Sequence, residues 1–153
     1  MNFFYVALAV CFLFHFVVAS SDCGNNCLST NCPQCLCGNK TNIQDYPIYF
    51  CKQYAWDQRC CGCILEYLSG SNANAEYYSN STNSYNIGLF AIPQEYWPYC
   101  SNGQPPCDPQ VNTECAQAMW KAGRDTWFYF NFNLACSQCS CCHHSFETLM
   151  DLN

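Results

Sequence analysis

Cysteine is the residue type that offers the most chemistry in this chain. There are 17 cysteines among 153 residues. Two groups, Cys35-Leu36-Cys37 and Cys141-Cys142-His143-His144, have residue types and spacings that could bind zinc. Without Cys11, which lies in an apolar N-terminal stretch, 16 cysteines remain, an even number at the density of disulfide-bonded domains. The sequence therefore favours disulfides over a metal site, and it predicts no cofactor.

The N-terminal stretch predicts export. Phe3 to Val18 is almost entirely apolar and is followed by small residues that suit signal peptidase, so residues 1–19 are predicted to be a signal peptide. A membrane anchor is the alternative, but the run is short for a transmembrane helix and contains His15. The sequons at Asn39 and Asn80 are candidate glycosylation sites that agree with export. We expect a protein that is secreted or held in a secretory or lysosome-like lumen, without membrane attachment after cleavage.

The net charge of the chain indicates which classes of partner it is suited to bind. The formal net charge is −6, with 5 Lys and Arg residues against 11 Asp and Glu residues. No stripe of basic residues exists, so the sequence excludes a nucleic-acid partner. An acidic chain also lacks the long-range attraction that speeds encounter with anionic bacterial walls. We expect a monomer.

Composition divides the chain after the signal peptide into three parts. Residues 20–56 are rich in Cys, Asn, Gly and Pro, which predicts a loop-rich, cysteine-rich lead-in packed on the main domain. Residues 57–142 are predicted to be the main domain, and residues 143–153 a short tail. No internal repeat of fixed period is present.

Two helices are predicted. Tyr54 to Leu68 has apolar residues at helical spacing, and Gly70 suits a left-handed helix end. Asp108 to Ala122 has Pro109 at its first turn. The predicted inner faces are Ala55, Cys60, Cys63, Ile64 and Tyr67 on the first helix, and Val111, Cys115, Ala118 and Met119 on the second. The polar, turn-rich residues 72–85 between the helices predict short strands, and hence an α+β fold.

Three motifs resemble those of one known family. Ser69 to Ala75, with the sequence SGSNANA, resembles the E-S-G-G-N-x-N-A signature that ends the catalytic helix of lysozymes. Tyr85 to Ile92, YNIGLFAI, resembles the Y-D-x-G-L-F-Q-I segment, and Val111 to Ala116 resembles the next helix. Cys60-Cys61-Gly62-Cys63 is closest in pattern to the invertebrate-type, or destabilase, lysozymes. The resemblance implies a small lysozyme-like domain with a cleft and, by analogy, a disulfide between Cys63 and Cys136.

The resemblance also shows what the chain lacks. In lysozymes a Glu just before the Ser-Gly pair protonates the glycosidic oxygen, and a second carboxylate stabilises or attacks the developing cation. Leu68 occupies the position of the acid, and Asn86 that of the second carboxylate. Ala91 and Pro93 replace a Gln and an Asn that face the cleft in the family. The resemblance thus implies a retained fold with a weakened or lost reaction.

Three other carboxylates are candidates for a displaced acid. Glu66 lies two residues before Leu68, which corresponds to about 200° of rotation on a helix and so to a different face. Glu76 follows the Ser69–Ala75 signature, and we expect it to be a solvated loop residue. Glu95 precedes Tyr96 and is expected on the surface. Glu66 is therefore the candidate catalytic residue, and an ordinary solvated Glu66 is the alternative.

A sugar ligand needs aromatic faces for stacking and amides for hydrogen bonds to hydroxyls. The candidate aromatic floor consists of Tyr96, Trp97 and Trp127. The candidate hydrogen-bonding side chains are Asn72, Asn74 and Asn86. In the alternative interpretation, Trp127 packs in the core and the asparagines satisfy loop backbone.

The resemblance implies a secreted lysozyme-like protein directed at peptidoglycan or related β-1,4-linked amino-sugar glycans, with weak or lost glycosidase activity. The expected partner is such a glycan, either peptidoglycan or a chitin-like oligosaccharide. Two alternatives stay open. One is an active muramidase that uses Glu66, and the other is a structural or protein-binding secreted domain that reuses the fold.

Overall fold

The chain forms several helices and a small antiparallel sheet. A computed structural model describes residues 22–122 and 138–140. The elements in chain order are α1 (Ile48–Cys51), α2 (Gln58–Ser69), β1 (Glu76–Ser79), β2 (Ser84–Ile87), β3 (Ile92–Pro93), a 3-10 turn (Gln94–Tyr96), α3 (Trp97–Cys100) and α4 (Pro109–Ala122). The expected α+β class is confirmed for this part of the chain. Within these ranges, no helix is both long and apolar enough to cross a bilayer.

The ends of α2 are set by local capping. The side chain of Asp57 accepts the backbone N–H of Cys60 at 2.8 Å, so the helix begins at Gln58, four residues later than predicted. Gly70 ends it with a φ of 57°, the left-handed conformation expected at this position. Trp56, which the prediction placed inside the helix, is buried instead and donates its indole N–H to the Cys51 carbonyl at 2.6 Å.

The buried face of α2 differs from the predicted face. Its buried residues are Cys61, Ile64, Leu65 and Ser69. Of the residues predicted to face inward, only Ile64 is buried, whereas Cys63 and Tyr67 are exposed. The prediction treated every cysteine as a core residue, but Cys63 bonds across to Cys139 from an exposed position. The corrected face puts Leu68, seven residues after Cys61, on the inner side, where it is half-buried against the core.

Helix α4 begins as its sequence predicts, and its described part extends to Ala122. The carboxylate of Asp108 accepts the backbone N–H groups of Gln110 and Val111, both at 3.0 Å, and Pro109 occupies the first turn. Cys115 and Met119 are buried as expected, but Ala118 is exposed. The remaining buried residues of this helix are Asn112, Thr113 and Ala116.

The three strands pair in the order β1-β2-β3, all antiparallel. This confirms the short strands predicted after the first long helix. Glu76, Ile87 and Ile92 are aligned across the sheet and have no exposed surface, so they lie on the inner face. Tyr77, Asn86 and Pro93 are the next aligned set and therefore lie on the outer face.

The core lies between the inner face of the sheet, α2 and α4. Ile64, Leu65, Phe90 and Ile92 have no exposed surface, and the ring centroids of Trp56 and Phe90 are 5.5 Å apart. Full burial of each such side chain contributes about 1.5–3 kcal/mol to folding. Residues of α2, of the sheet and of α4 belong to this one core.

The cysteine-rich lead-in is bonded to the sheet and to α4. Glu76 exchanges backbone hydrogen bonds with this segment, donating to Asn26 at 2.8 Å and accepting from Leu28 at 2.7 Å. The Cys37–Cys107 disulfide ties the lead-in to the residues that precede α4, across 70 positions of sequence. A disulfide across so long a segment constrains the unfolded chain strongly.

Disulfides account for most of the described cysteines. The bridges within the described residues are Cys23–Cys35, Cys27–Cys32, Cys37–Cys107, Cys51–Cys61, Cys63–Cys139 and Cys100–Cys115. Because Cys35 and Cys37 both belong to bridges, the preference for disulfides over zinc is confirmed for that group. The expected partner of Cys63, Cys136, is wrong, since Cys63 pairs with Cys139 at a Cα–Cα distance of 5.8 Å. Cys136 and the group Cys141–His144 lie outside the described residues.

Candidate functional site

A pocket of about 520 Å³ opens between the 3-10 turn, α3 and α4. Its described lining residues are Glu95, Tyr96, Tyr99, Cys100, Cys115, Ala118, Met119 and Ala122. The side contributed by α4 is apolar, and the side contributed by the 3-10 turn and α3 carries two phenol groups and one carboxylate. A concave apolar surface with a few polar groups at its rim is the usual form of a small-ligand site.

Two interactions fix the aromatic side of this pocket. Trp97 is 5% exposed and donates its indole N–H to the Ile92 carbonyl at 3.1 Å, which fastens the start of α3 to β3. The Cys100–Cys115 disulfide then joins α3 to α4 at a Cα–Cα distance of 5.0 Å. Trp97 thus packs in the core, and its expected place on an exposed aromatic floor is wrong. Its burial helps to position Tyr96 and Tyr99 in the lining of the pocket.

Tyr96 and Tyr99 differ in accessibility. Tyr96 is half-buried and packs against the core, so its ring has a fixed orientation. Tyr99 is 84% exposed, the most exposed of the large apolar side chains in the described chain. Tyr96 was predicted as a sugar-contacting residue, and the structure places it in the lining. Tyr99 was missed because nothing in its sequence context distinguishes it from a solvated surface residue.

The outer face of the sheet forms a second surface beside the 3-10 turn. Asn86 is half-buried and paired with Tyr77 on one side and Pro93 on the other. Cys27 forms a parallel bridge with Glu76, so Leu28 extends this row beyond Tyr77 by the alternation of side chains. Leu28 and Tyr77 are 48% and 47% exposed. The chain continues from Pro93 directly into the 3-10 turn, which brings this row to the start of the pocket.

No family model, curated protein or solved structure matches the chain. Leu68 is half-buried on the core side of α2, and Asn86 is on the outer face of the sheet. Ala91 adopts a φ of 46° in the turn before β3, where its backbone N–H donates to the Gly88 carbonyl at 3.0 Å.

Glu66, the candidate catalytic residue, is exposed near the C-terminal end of α2. Its carboxylate accepts the hydroxyl of Ser71 at 2.8 Å. Leu68, two residues later, is on the half-buried side of the same helix. The expected difference in face between Glu66 and Leu68 is therefore confirmed.

Asn72 and Asn74 are engaged by the backbone of neighbouring loops. The Asn72 side chain accepts the N–H groups of Asn42 and Asn74, both at 3.0 Å, and donates to the side chain of Asn26 at 2.9 Å. The Asn74 amide donates to the Lys40 carbonyl at 2.9 Å. Both asparagines satisfy loop backbone, as the alternative interpretation predicted. Their role is to hold the lead-in against the loop after α2.

The environment of Glu76 differs more from its prediction than that of any other candidate residue described. It was predicted to be a solvated loop residue, but it has no exposed surface and stands on the inner face of the sheet. Its two carboxylate oxygens accept backbone N–H groups of the lead-in, from Cys37 at 2.7 Å and from Leu36 at 3.1 Å. Burial raises the pKa of the Glu76 carboxyl, and the two hydrogen bonds oppose that effect.

The environment of Glu76 does not form a metal site. Its carboxylate lies within 4.8 Å of the sulfur atoms of Cys23 and Cys32. Both sulfurs are in disulfides, so neither offers the thiolate that a metal ion requires. Glu76 is therefore a structural carboxylate, and it is turned away from the outer face of the sheet.

The remaining predicted site residues occupy separate places. Asn39 and Asn80 are both exposed, and Asn80 lies in the turn between β1 and β2. Glu95 is exposed as expected and also lines the pocket, a role that the sequence did not indicate. Trp127 lies outside the described residues.

Proposed function

We propose that this chain is a secreted lysozyme-like protein that binds β-1,4-linked amino-sugar glycans, of the peptidoglycan or chitin type, with little or no glycosidase activity. The observation that carries the proposal is the pocket formed by Tyr96, Tyr99 and the apolar side of α4. It lies next to a sheet face that presents Asn86 where the family has a carboxylate. The pocket thus supports a binding role, beside a position where the resemblance implies a reactive carboxylate that this chain lacks.

The chemistry of this surface suits a sugar chain. Sugar rings have apolar faces that stack on aromatic rings and hydroxyls that need hydrogen-bond partners. Tyr96 and Tyr99 supply rings, and Glu95 and Asn86 supply polar groups. Leu28 and Tyr77 extend the same outer surface across the sheet. A linear glycan could contact the pocket and this row together, because the chain joins them through Pro93 and the 3-10 turn.

The same positions argue against hydrolysis. Glycoside hydrolysis requires an acid that protonates the leaving oxygen and a second carboxylate near the sugar ring. Leu68 has no proton to give, and Asn86 cannot become an anion. Glu76, a nearby carboxylate on the sheet, is buried on the opposite face and bonded to Leu36 and Cys37. General acid–base catalysis is typically worth about 10²–10⁴-fold, so little turnover should remain without it.

Retention on insoluble glycans tests the binding claim. The purified protein should be retained on chitin and on peptidoglycan, and Tyr99→Ala should reduce retention because it removes an exposed ring from the pocket. Tyr46→Ala is the matched control, since Tyr46 is 78% exposed against 84% for Tyr99 but does not line the pocket. No retention of a correctly folded protein on either glycan would reject the proposal and favour a structural or protein-binding domain.

Clearance of bacterial wall suspensions tests the catalytic claim. We expect no clearance of the suspension by the native protein beyond that of a buffer blank. Strong clearance that disappears in Glu66→Gln would instead establish the muramidase alternative, with the acid displaced along α2. Clearance that survives Glu66→Gln would show that the lysozyme motifs are aligned in the wrong register.

A further inference from the structure

We infer that the pocket selects amino sugars whose amines are free and protonated over their N-acetylated counterparts. This inference rests on the proposed function, because it names the class of glycan that the same surface prefers. The observation that supports it is the charge of the residues that line the pocket. Glu95 is the one charged residue among the described lining residues, and it is exposed at the pocket rim.

The other charged residues of the helix beside the pocket do not offset the negative charge of Glu95. Helix α4, which forms the apolar side, carries Glu114 and Lys121, both exposed, outside the described lining. Their charges are opposite, so together they add no net charge to the described part of the helix. Among the described lining residues the carboxylate of Glu95 therefore sets the sign of the charge, and an ammonium group is the sugar substituent that complements it.

The aromatic side of the pocket favours the same ligand. A cation above the face of a tyrosine ring is attracted by the negative charge of that face. Tyr96 and Tyr99 both line the pocket together with Glu95. An N-acetyl group is neutral and gains from neither the carboxylate nor this attraction. A glucosamine ring can gain from both while its apolar face still rests against a tyrosine ring.

The charge of the whole chain acts in the same direction. The formal net charge of −6 attracts a polycation and repels an anionic wall polymer over about one Debye length, roughly 10 Å at 0.1 M salt. A glucosamine oligomer carries one positive charge per ring at mildly acidic pH. The acidity of the chain, which is unfavourable for encounter with an anionic bacterial wall, is favourable for this ligand.

Calorimetric titration with two tetrasaccharides tests the inference. One is the β-1,4-linked tetramer of glucosamine, and the other is the tetramer of N-acetylglucosamine. In dilute buffer at mildly acidic pH, we expect the glucosamine tetramer to bind at least about threefold more tightly, the range of a single partly exposed ion pair. Salt at about 0.5 M should remove most of that preference.

Two variants locate the preference. Glu95→Gln should weaken binding of the glucosamine tetramer about threefold more than it weakens binding of the N-acetylated tetramer. Asp45→Asn changes the net charge by the same amount at an exposed residue that does not line the pocket, so it should change neither. An equal effect of the two variants would mean that only the net charge matters, and it would overturn the assignment to the pocket.

The outcomes separate this inference from the proposed function. Equal binding of both tetramers, or tighter binding of the N-acetylated one, overturns the inference and leaves the proposed function standing. Failure of both tetramers to bind overturns the proposed function as well. Preference for glucosamine that is lost in salt and in Glu95→Gln, but kept in Asp45→Asn, supports the inference.

Discussion

The carboxylate of Glu76 accepts the backbone N–H of Cys37 at 2.7 Å inside the protein, 39 residues away along the chain. With the second bond, from Leu36 at 3.1 Å, it satisfies two neighbouring donors of the lead-in from one side chain of the sheet. Each such donor would otherwise be buried without a partner. Glu76 is therefore a structural link between the lead-in and the sheet, and it is not available for chemistry at the outer face of the sheet.

Replacement of Glu76 by alanine should strongly destabilise the fold. Glu76→Ala removes the acceptor of two backbone N–H groups in a part-buried site, and the expected loss is about 2–4 kcal/mol of unfolding free energy. Chemical denaturation measures it. Glu114→Ala removes an exposed carboxylate and should change stability by no more than about 0.5 kcal/mol. Similar losses in the two variants would contradict the structural role of Glu76.

The stability of the protein should also depend on pH through Glu76. Because burial raises the pKa of this carboxyl, the folded protein holds the proton more tightly than the unfolded chain does. The contribution of Glu76 to stability is therefore full below the unfolded pKa and is lost as pH rises through the folded pKa. Glu76→Gln, which cannot titrate, should lack this decrease. A Glu76→Gln variant whose pH profile parallels the native one would refute the assignment.

A methyl group at Gly88 should disrupt the turn between β2 and β3. A Cβ atom there would lie 2.1 Å from Nδ2 of Asn112, and the φ of 81° disfavours any other residue. The Asn112 side chain is buried and accepts the Phe90 N–H at 2.9 Å, so it has no room to move. Gly88→Ala should cost at least about 3 kcal/mol, the range of severe core damage.

Gly103→Ala is the control for Gly88→Ala. Its φ of 77° is almost the same, but no atom lies within 4 Å of the added Cβ. The expected cost is about 1 kcal/mol, which reflects the left-handed backbone conformation alone. Thermal unfolding of both variants gives the comparison. Equal losses of stability in the two variants would mean that the contact with Asn112 does not contribute to the effect of Gly88→Ala.

The long disulfide of the lead-in should stabilise the fold more than the short one. Cys37–Cys107 closes 70 residues, and Cys27–Cys32 closes 5. The loop-entropy relation gives about 4 kcal/mol for the first and about 2 kcal/mol for the second. Replacing each pair by two alanines and comparing denaturant midpoints measures the difference. A larger loss from the Cys27–Cys32 pair would contradict a loop-length origin.

Restoring the acid alone should not restore hydrolysis. Leu68→Glu places a carboxyl group at the position of the lysozyme acid, but Asn86 still cannot supply the opposite carboxylate. We expect wall clearance no greater than that of Leu68→Gln, which has the same shape without the proton. Both variants must first be shown to unfold at similar temperatures, because Leu68 is half-buried against the core. Full lysozyme activity from Leu68→Glu would contradict the assigned role of Asn86.

Local signals in the sequence predicted the end of α2 and the start of α4 correctly, but the cap at Asp57 was missed, so the start of α2 was placed four residues too early. Gly70 and Pro109 act within a single turn, so their neighbours suffice to place them. The buried side of α2 could not be predicted in the same way, since a cysteine can be buried or can carry an exposed disulfide. The disulfide partner of Cys63 could not be predicted either, because Cys136 and Cys139 are only three residues apart in the sequence.

The candidate site was predictable only in part because long-range contacts create it. Tyr96 was found from its aromatic type. Tyr99 and Glu95 line the pocket because the Cys100–Cys115 disulfide brings α3 against α4, and pairing cannot be read from the sequence. The burial of Glu76 depends on the lead-in, whose contact with the sheet no local pattern records.

The most direct test of glycan binding without hydrolysis is an NMR titration with a partly N-acetylated β-1,4-glucosamine hexamer. The proposed function predicts saturable shifts in the signals of Tyr96 and Tyr99, with smaller shifts at Tyr46, and a hexamer that remains intact after prolonged incubation. Products of cleavage, or a titration in which the Tyr99 signals do not move, would contradict it.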